Sequence, residues 1–335
     1  MAHLLYDAKY LFGELSEHTC SSFGSPLSIR QPNPLQIYKL TIGDEVCLGE
    51  FLSIKWALHN RSYDSSIILY AAENGHLECL QYLHEQGCEW NIRACYKAAF
   101  GGHLDILQYL HEEGCEWNWK TCEAAAGNGH LNCLIYAHEN GCVWNCRTWI
   151  EAASNGHLDC LMYVCEEGCE LNKSIFRIAA ARGHLECIKY IRSKGYEWDT
   201  QTCRVAAENG HLDCLRYAFN HGCEWNKETC TEAVRYGHLD CLRYAFNHGC
   251  LWDRWICDVA AANGHLACLI YLHEEGCRWS TDTCYQAARN GHLDCLEYLH
   301  EQGCEWDVWT YVSAKINNHL ACLEYAHEQG CPRDG

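Results

Sequence analysis

The tripeptide Gly-His-Leu returns every 27 residues. Its histidine stands at His76, His103, His130, His157, His184, His211, His238, His265 and His292, and a tenth copy, His319, sits in Asn-His-Leu. No insertion or deletion interrupts the series, so residues 64–333 are ten tandem units of one length. A fixed short period constrains the fold strongly. Each unit is one supersecondary element that cannot bury its apolar face alone, and stacking on its neighbours supplies the core.

Each unit reads as two short helices. The first follows a residue whose side chain accepts from free backbone N–H groups at a helix start: Asp64, Asn91, Asn118, Asn145, Asn172, Asp199, Asn226, Asp253, Ser280 and Asp307. A stripe at helical spacing follows, as in Cys95, Ala98 and Ala99, where small side chains let helices approach closely. Gly102 and its equivalents end this helix in the left-handed conformation, with Asn318 in that place in the last unit. The second helix runs from His-Leu to Gly87, Gly114 and their equivalents. Leu77, Leu80 and Leu83 with Cys79 and Tyr82 cover more than half its circumference, as stacking on several sides requires. Acids such as Glu78, Asp105, Asp159 and Asp213 complement the positive end of its dipole. Neither helix is long enough to be stable alone.

Charge and cysteine content narrow the function classes. With 25 Lys+Arg against 44 Asp+Glu the formal charge is −19, which argues against binding nucleic acid or an anionic membrane. No apolar run approaches the roughly 18 residues of a membrane span. The N-terminal stretch has acids inside it and no signal-peptide core. The 28 cysteines, in a long chain without a secretion signal, point to a reducing compartment, cytoplasmic or nuclear.

His76 with Cys79, and His84 with Cys88, are spaced to share a helix face, yet zinc takes about four ligands. Ile106 replaces cysteine in the Cys79 series, Tyr196 in the Cys88 series, and Trp149, Phe176 and Tyr311 in the Cys95 series. A core position tolerates such changes and a ligand does not, so the cysteines read as small buried hydrophobes. No metal and no cofactor is expected. Equivalent cysteines of stacked helices lie about 8–10 Å apart, too far for disulfides that need Cα atoms within about 7 Å; bridges between non-equivalent positions stay open. Catalysis would need one special histidine rather than ten equal ones. The Gly-His-Leu ring is expected to hydrogen-bond loop backbone and tie one unit to the next, and the Tyr82 series to send its hydroxyl to solvent or a carbonyl. There is no phosphate-cradling loop, no G-x-S-x-G and no isolated carboxylate pair, so the chain does not read as an enzyme.

The pattern T-C-x-x-A-A-x-N-G-H-L-x-C-L-x-Y-L-H-E-x-G-C-x-W-N resembles the ankyrin repeat. The segments AAENGHLECLQYL and GCEWN carry the likeness, with Cys95, Cys88 and Trp90 at places where that family has other residues. The resemblance covers about four-fifths of the chain and implies an all-α, right-handed solenoid that grips protein partners. The ankyrin unit has about 33 residues, and the shortfall falls where the family builds its β-hairpin finger. Helix–turn–helix units with shortened or absent fingers are therefore expected. Short, Cys- and Trp-rich units of this kind resemble arrays of protists and of large DNA viruses, which implies action inside a host cell.

Residues that stay constant from unit to unit are scaffold, and those that vary are free to read a partner. Variation concentrates in the linker before the first helix and after the Ala-Ala pair. In the ankyrin family both regions line the face that holds partners. The candidate contacts are Phe100, Trp119, Lys120, Arg147, Arg177, Arg182, Arg204, Arg235, Tyr236, Trp255, Arg289 and Trp309. Trp119, Trp255 and Trp309 lie outside the periodic tryptophan series; they are interface anchors or fillers of gaps between linkers. Residues 172–252 hold 11 Lys+Arg against 9 Asp+Glu in an otherwise acidic chain. Arg177, Arg182, Arg204 and Arg235 form a basic stripe for an acidic segment, or an ordinary solvated face.

Residues 34–63 read as a degenerate capping unit, while the role of residues 1–33 is open. The expectation is a monomeric protein-binding scaffold. The alternatives are a substrate-recruiting subunit of a ubiquitin ligase that docks through residues 1–60, and a metal-binding repeat protein.

Overall fold

The structure is a computed structural model and describes residues 66–199 and 201–333. Its helices alternate in pairs. The first helices of successive units are α1 (Ser66–Glu73), α3 (Ile92–Gly101), α5 (Trp119–Gly127), α7 (Cys146–Asn155), α9 (Ser174–Ala181), α11 (Thr202–Glu208), α13 (Lys227–Arg235), α15 (Ile256–Ala262), α17 (Thr281–Asn290) and α19 (Val308–Ile316). The second helices are α2 (Leu77–Glu85), α4 (Leu104–Glu112), α6 (Leu131–Glu139), α8 (Leu158–Glu166), α10 (Leu185–Ser193), α12 (Leu212–Asn220), α14 (Leu239–Asn247), α16 (Leu266–Glu274), α18 (Leu293–Glu301) and α20 (Leu320–Glu328). No strand occurs among the described residues, so the finger is absent from these units, and the fold is an all-α ankyrin-type solenoid. The expected capping unit 34–63, segment 1–33 and the cap at Asp64 lie outside the described residues.

Helix starts follow the expected chemistry with three exceptions. Asn91, Asn118, Asn145, Asn226 and Asp307 each accept from the backbone N–H two residues on, at 2.9–3.0 Å. Ser280 forms a reciprocal capping box with Thr283. In the units opened by Asn172, Asp199 and Asp253 the helix begins later, at Ser174, Thr202 and Ile256. Asn172 and Asp199 still accept from Ser174 and Gln201, so the capping turn survives although the α-helix is assigned from Ser174 and Thr202. Asp253 instead pairs with Lys227 of the preceding unit at 2.9 Å.

The first helices of adjacent units pack on one another through their alanines more extensively than the second helices do. Ala98, Ala99, Ala152, Ala153, Ala179 and Ala180 are fully buried. Trp149 and Phe176, standing where other units carry cysteine, are also fully buried, so the cysteine position is core.

Two joints hold unit to unit. The first is the Gly-His-Leu histidine, which does what its recurrence implied. Nε2–H of His103 donates to the carbonyl of Glu73, 3.1 Å away at the end of the preceding first helix. His184 does the same to Ser154 at 2.9 Å, His265 to Arg235 at 3.0 Å and His292 to Ala262 at 3.1 Å. A carbonyl at a helix C-terminus has no partner within its own helix, and the ring of the next unit satisfies it. The ring also lies against the glycine that ends the preceding first helix: a Cβ added at Gly75 (φ +81°) would sit 2.6 Å from His103 Cε1. That glycine is therefore required twice, by its positive φ and by its neighbour. Asn318, with φ +60°, takes the glycine's place at the end of α19.

The second joint corrects the expectation for the tyrosine series. Its hydroxyl meets the second-helix histidine of the preceding unit. Tyr109 lies 3.0 Å from His84 Nδ1, Tyr136 3.0 Å from His111, Tyr163 2.9 Å from His138, Tyr298 3.0 Å from His273 and Tyr325 3.0 Å from His300. The same histidine stacks on the tryptophan that follows it, as His138 does on Trp144 with centroids 3.6 Å apart, and Tyr163 meets that Trp edge to face. The result is a ladder of aromatic rings along the second-helix side. In the middle of the array Phe219 and Phe246 replace the histidine and keep the stack on Trp225 and Trp252. Tyr244 then turns its hydroxyl to Asn220 Oδ1, at 3.1 Å. Tyr190 reaches the Met162 carbonyl at 3.5 Å, the one kind of partner expected for the series.

Candidate protein-binding surface

With one side of each first helix buried by alanine and cysteine, the opposite side is left to solvent. In α3 the residues outside the core are Ile92, Arg93, Tyr96, Lys97 and Phe100, spaced i, i+4, i+8 along one helical face. The linker positions and the positions after Ala-Ala, separate in the sequence, are thus the two ends of one stripe. Between them lie the positions of the named Arg177 and Arg204 and, beside these, residues not named from the sequence: Tyr96, Lys97, Glu123, Glu151, Glu232, Asp258 and Tyr285. Their signal was present, since they also change from unit to unit at helical spacing from the linker.

The candidates distribute along this stripe as follows. Phe100 is 37 % exposed, with Lys97 Nζ 5.2 Å from its ring centroid. Trp119 is half-buried beneath Lys120, whose Nζ lies 5.6 Å from the ring. Trp255 is 47 % exposed and has Lys227 Nζ 5.7 Å from its ring. Trp309 is 61 % exposed and Tyr236 50 %. Trp255 and Trp309 are thus exposed, whereas Trp119 is half-buried. Arg289 is exposed beside Tyr285, 5.9 Å from its ring.

The basic residues are mostly paired with acids on the same surface. Arg147 faces Glu123 of the preceding unit at 3.9 Å, and Arg177 faces Asp199 of the next at 3.9 Å. Arg204 bonds Glu208 at 2.9 Å and Arg235 bonds Glu232 at 3.1 Å, each within its own helix. Arg182 is exposed at the end of α9. The expected basic stripe is therefore a row of exchangeable ion pairs, each worth little to stability at such exposure. Glu123 is held above the usual carboxylate range by burial, which Arg147 partly offsets. Burial raises Asp258 likewise, against a hydrogen bond from Thr283.

Among the described residues no three His, Cys, Asp or Glu side chains converge as metal ligands. No helix among them is long and apolar enough to cross a membrane.

The family model described as ankyrin repeats (many copies) matches residues 68–111, and that described as ankyrin repeats (3 copies) matches residues 176–255. No curated protein matches the chain. Among solved structures, the crystal structure of the human ASB11 ankyrin repeat domain is similar at 19 % identity with a TM-score of 0.42, over 47 % of this chain and 84 % of that one. The two matched segments and the units between them share one register of 27 residues. Residues 68–111 and 176–255 carry ankyrin repeats.

Proposed function

We propose that this protein is a binding scaffold that holds a protein partner along the exposed stripe of its first helices, with Trp255 and Trp309 as anchors. The observation that carries the reading is the exposure of these two rings, 47 % and 61 %, on the face whose residues change from unit to unit. An indole left in water on a rigid surface has little structural role, and Trp and Arg lead among residues that dominate interface energy. Tyr236 and the ion-paired Arg204 and Arg235 extend the surface, since a partner's acid can exchange with Glu208 or Glu232. The scaffold works as a monomer in a reducing compartment, cytoplasmic or nuclear, inside a host cell. The ligase-adapter alternative depends on residues 1–60, outside the described residues.

The test is parallel affinity capture from lysate, with wild type and a variant carrying Trp119→Ala, Arg204→Glu, Arg235→Glu and Trp255→Ala, after circular dichroism shows equal helicity. Partners held by the wild type and lost by the variant support the surface. Identical captures contradict it.

A further inference from the structure

In six units the first-helix cysteine and the cysteine of the second loop lie side by side, twenty residues apart: Cys95 and Cys115, Cys122 and Cys142, Cys203 and Cys223, Cys230 and Cys250, Cys257 and Cys277, Cys284 and Cys304. In five of these the loop thiol reaches the carbonyl that opens its unit, Cys223 that of Asp199 at 3.7 Å, whereas Cys277 has the adjacent Arg278 carbonyl at 3.9 Å. Cys115, Cys142, Cys250 and Cys304 donate to the carbonyl of the residue that opens their own unit: Asn91 at 3.4 Å, Asn118 at 3.2 Å, Asn226 at 3.1 Å and Ser280 at 3.3 Å. The unit of residues 253–279 differs. Its first helix starts late, after a turn at Arg254 and Trp255, and the two thiols face each other: Cys257 Sγ–H donates to Cys277 Sγ at 2.9 Å.

We propose that Cys257 and Cys277 form a peroxide-responsive dithiol that closes to a disulfide inside this one unit. A disulfide needs its sulfurs about 2.05 Å apart, so the pair closes by a movement under about 1 Å. Cys277 is 9 % exposed and Cys257 is fully buried, which makes Cys277 the atom a small oxidant meets first. The hydrogen bond from Cys257 favours the Cys277 thiolate and holds its ionisation below the ordinary thiol range. The thiolate attacks one peroxide oxygen, the O–O bond breaks and hydroxide leaves, giving a sulfenic acid at Cys277. The sulfur of Cys257 then attacks that of Cys277. The S–O bond breaks, and the Cys257 proton leaves with the departing hydroxide as water. Two thiols have lost two electrons and two protons, and one peroxide has become two waters. The bond ties the start of α15 to the loop after α16, beside the anchor Trp255.

Trypsin cuts after Arg254 and Arg278, so Cys257, Cys268 and Cys277 share one peptide. Full-length native protein is treated with hydrogen peroxide, alkylated under denaturing conditions, digested and weighed. The expected peptide of residues 255–278 carries one alkyl group, placed on Cys268 by fragmentation, and three after prior reduction. Cys277→Ser, with wild-type helicity, leaves Cys257 alkylated, whereas Cys257→Ser leaves Cys277 as an unresolved sulfenic or sulfinic acid that takes no alkyl group. Three alkyl groups at a dose that oxidises the exposed Cys146 would overturn the proposal. So would sulfinic acid on Cys277 with Cys257 still free, or a bond to Cys268.

Discussion

At the scale of single residues, two glycine series with the same backbone have different reasons to exist. Gly102 has φ +79° and the His130 ring of the next unit against it, while Gly114 has φ +82° and open space where a Cβ would go. Gly114→Ala should cost only the left-handed conformation, about 1–2 kcal/mol. Gly102→Ala adds overpacking to that and should cost about 2–5 kcal/mol. In a His130→Ala background the excess should vanish; urea unfolding of the four proteins gives the cycle, and equal costs at both glycines would refute the interlock. This joint was legible in the sequence because glycine and histidine recur together, and the one unit with Asn318 confirms the backbone demand. Three late helix starts were not legible. Asn172, Asp199 and Asp253 carry capping side chains like the rest, and what distinguishes Asp253 is a lysine, Lys227, 26 residues upstream.

At the scale of the element, the second helix is fixed by a ring contact with its successor. Tyr136→Phe removes the hydroxyl bonded to His111 and should cost about 0.5–1.5 kcal/mol. Tyr271 follows Phe246, which offers no acceptor, and its buried hydroxyl has no hydrogen-bond partner among the described residues. Tyr271→Phe should therefore be neutral or stabilising by up to about 1 kcal/mol. Thermal melts of the two variants side by side decide this, and equal losses would remove the distinction. The ladder escaped the sequence reading for a physical reason. Tyrosine and histidine are 25 residues apart in different units, and a period shows which residues recur but not which recurring residues touch. On the first helix the same limit split one stripe into two regions, because a period does not show that the linker, Tyr96, Lys97 and Phe100 share one helical face.

At the scale of the whole molecule, stability is spread over repeated buried thiols, and this sets a pH dependence. Burial pushes the second-helix cysteines up from 9.0: Cys133, Cys187, Cys268 and Cys322 to about 11, and Cys160, Cys214, Cys241 and Cys295 to about 12. A thiol that ionises later when folded than when unfolded contributes stability that is complete below pH 9 and lost as pH rises toward the folded value. The melting temperature should fall steeply from pH 9 to 11. Cys160→Ala, Cys214→Ala and Cys241→Ala together should flatten that slope even while lowering the melting temperature at pH 7; an unchanged slope would refute the assignment.

The same repetition sets the proposed binding stripe apart from the scaffold, because joints and core use the constant residues and leave Trp255 and Trp309 exposed. The direct measurement is calorimetric titration of a captured partner into wild type and into a Trp255→Ala, Trp309→Ala variant of equal melting temperature. The account predicts at least a tenfold weaker Kd, about 1.4 kcal/mol. An unchanged Kd would contradict it.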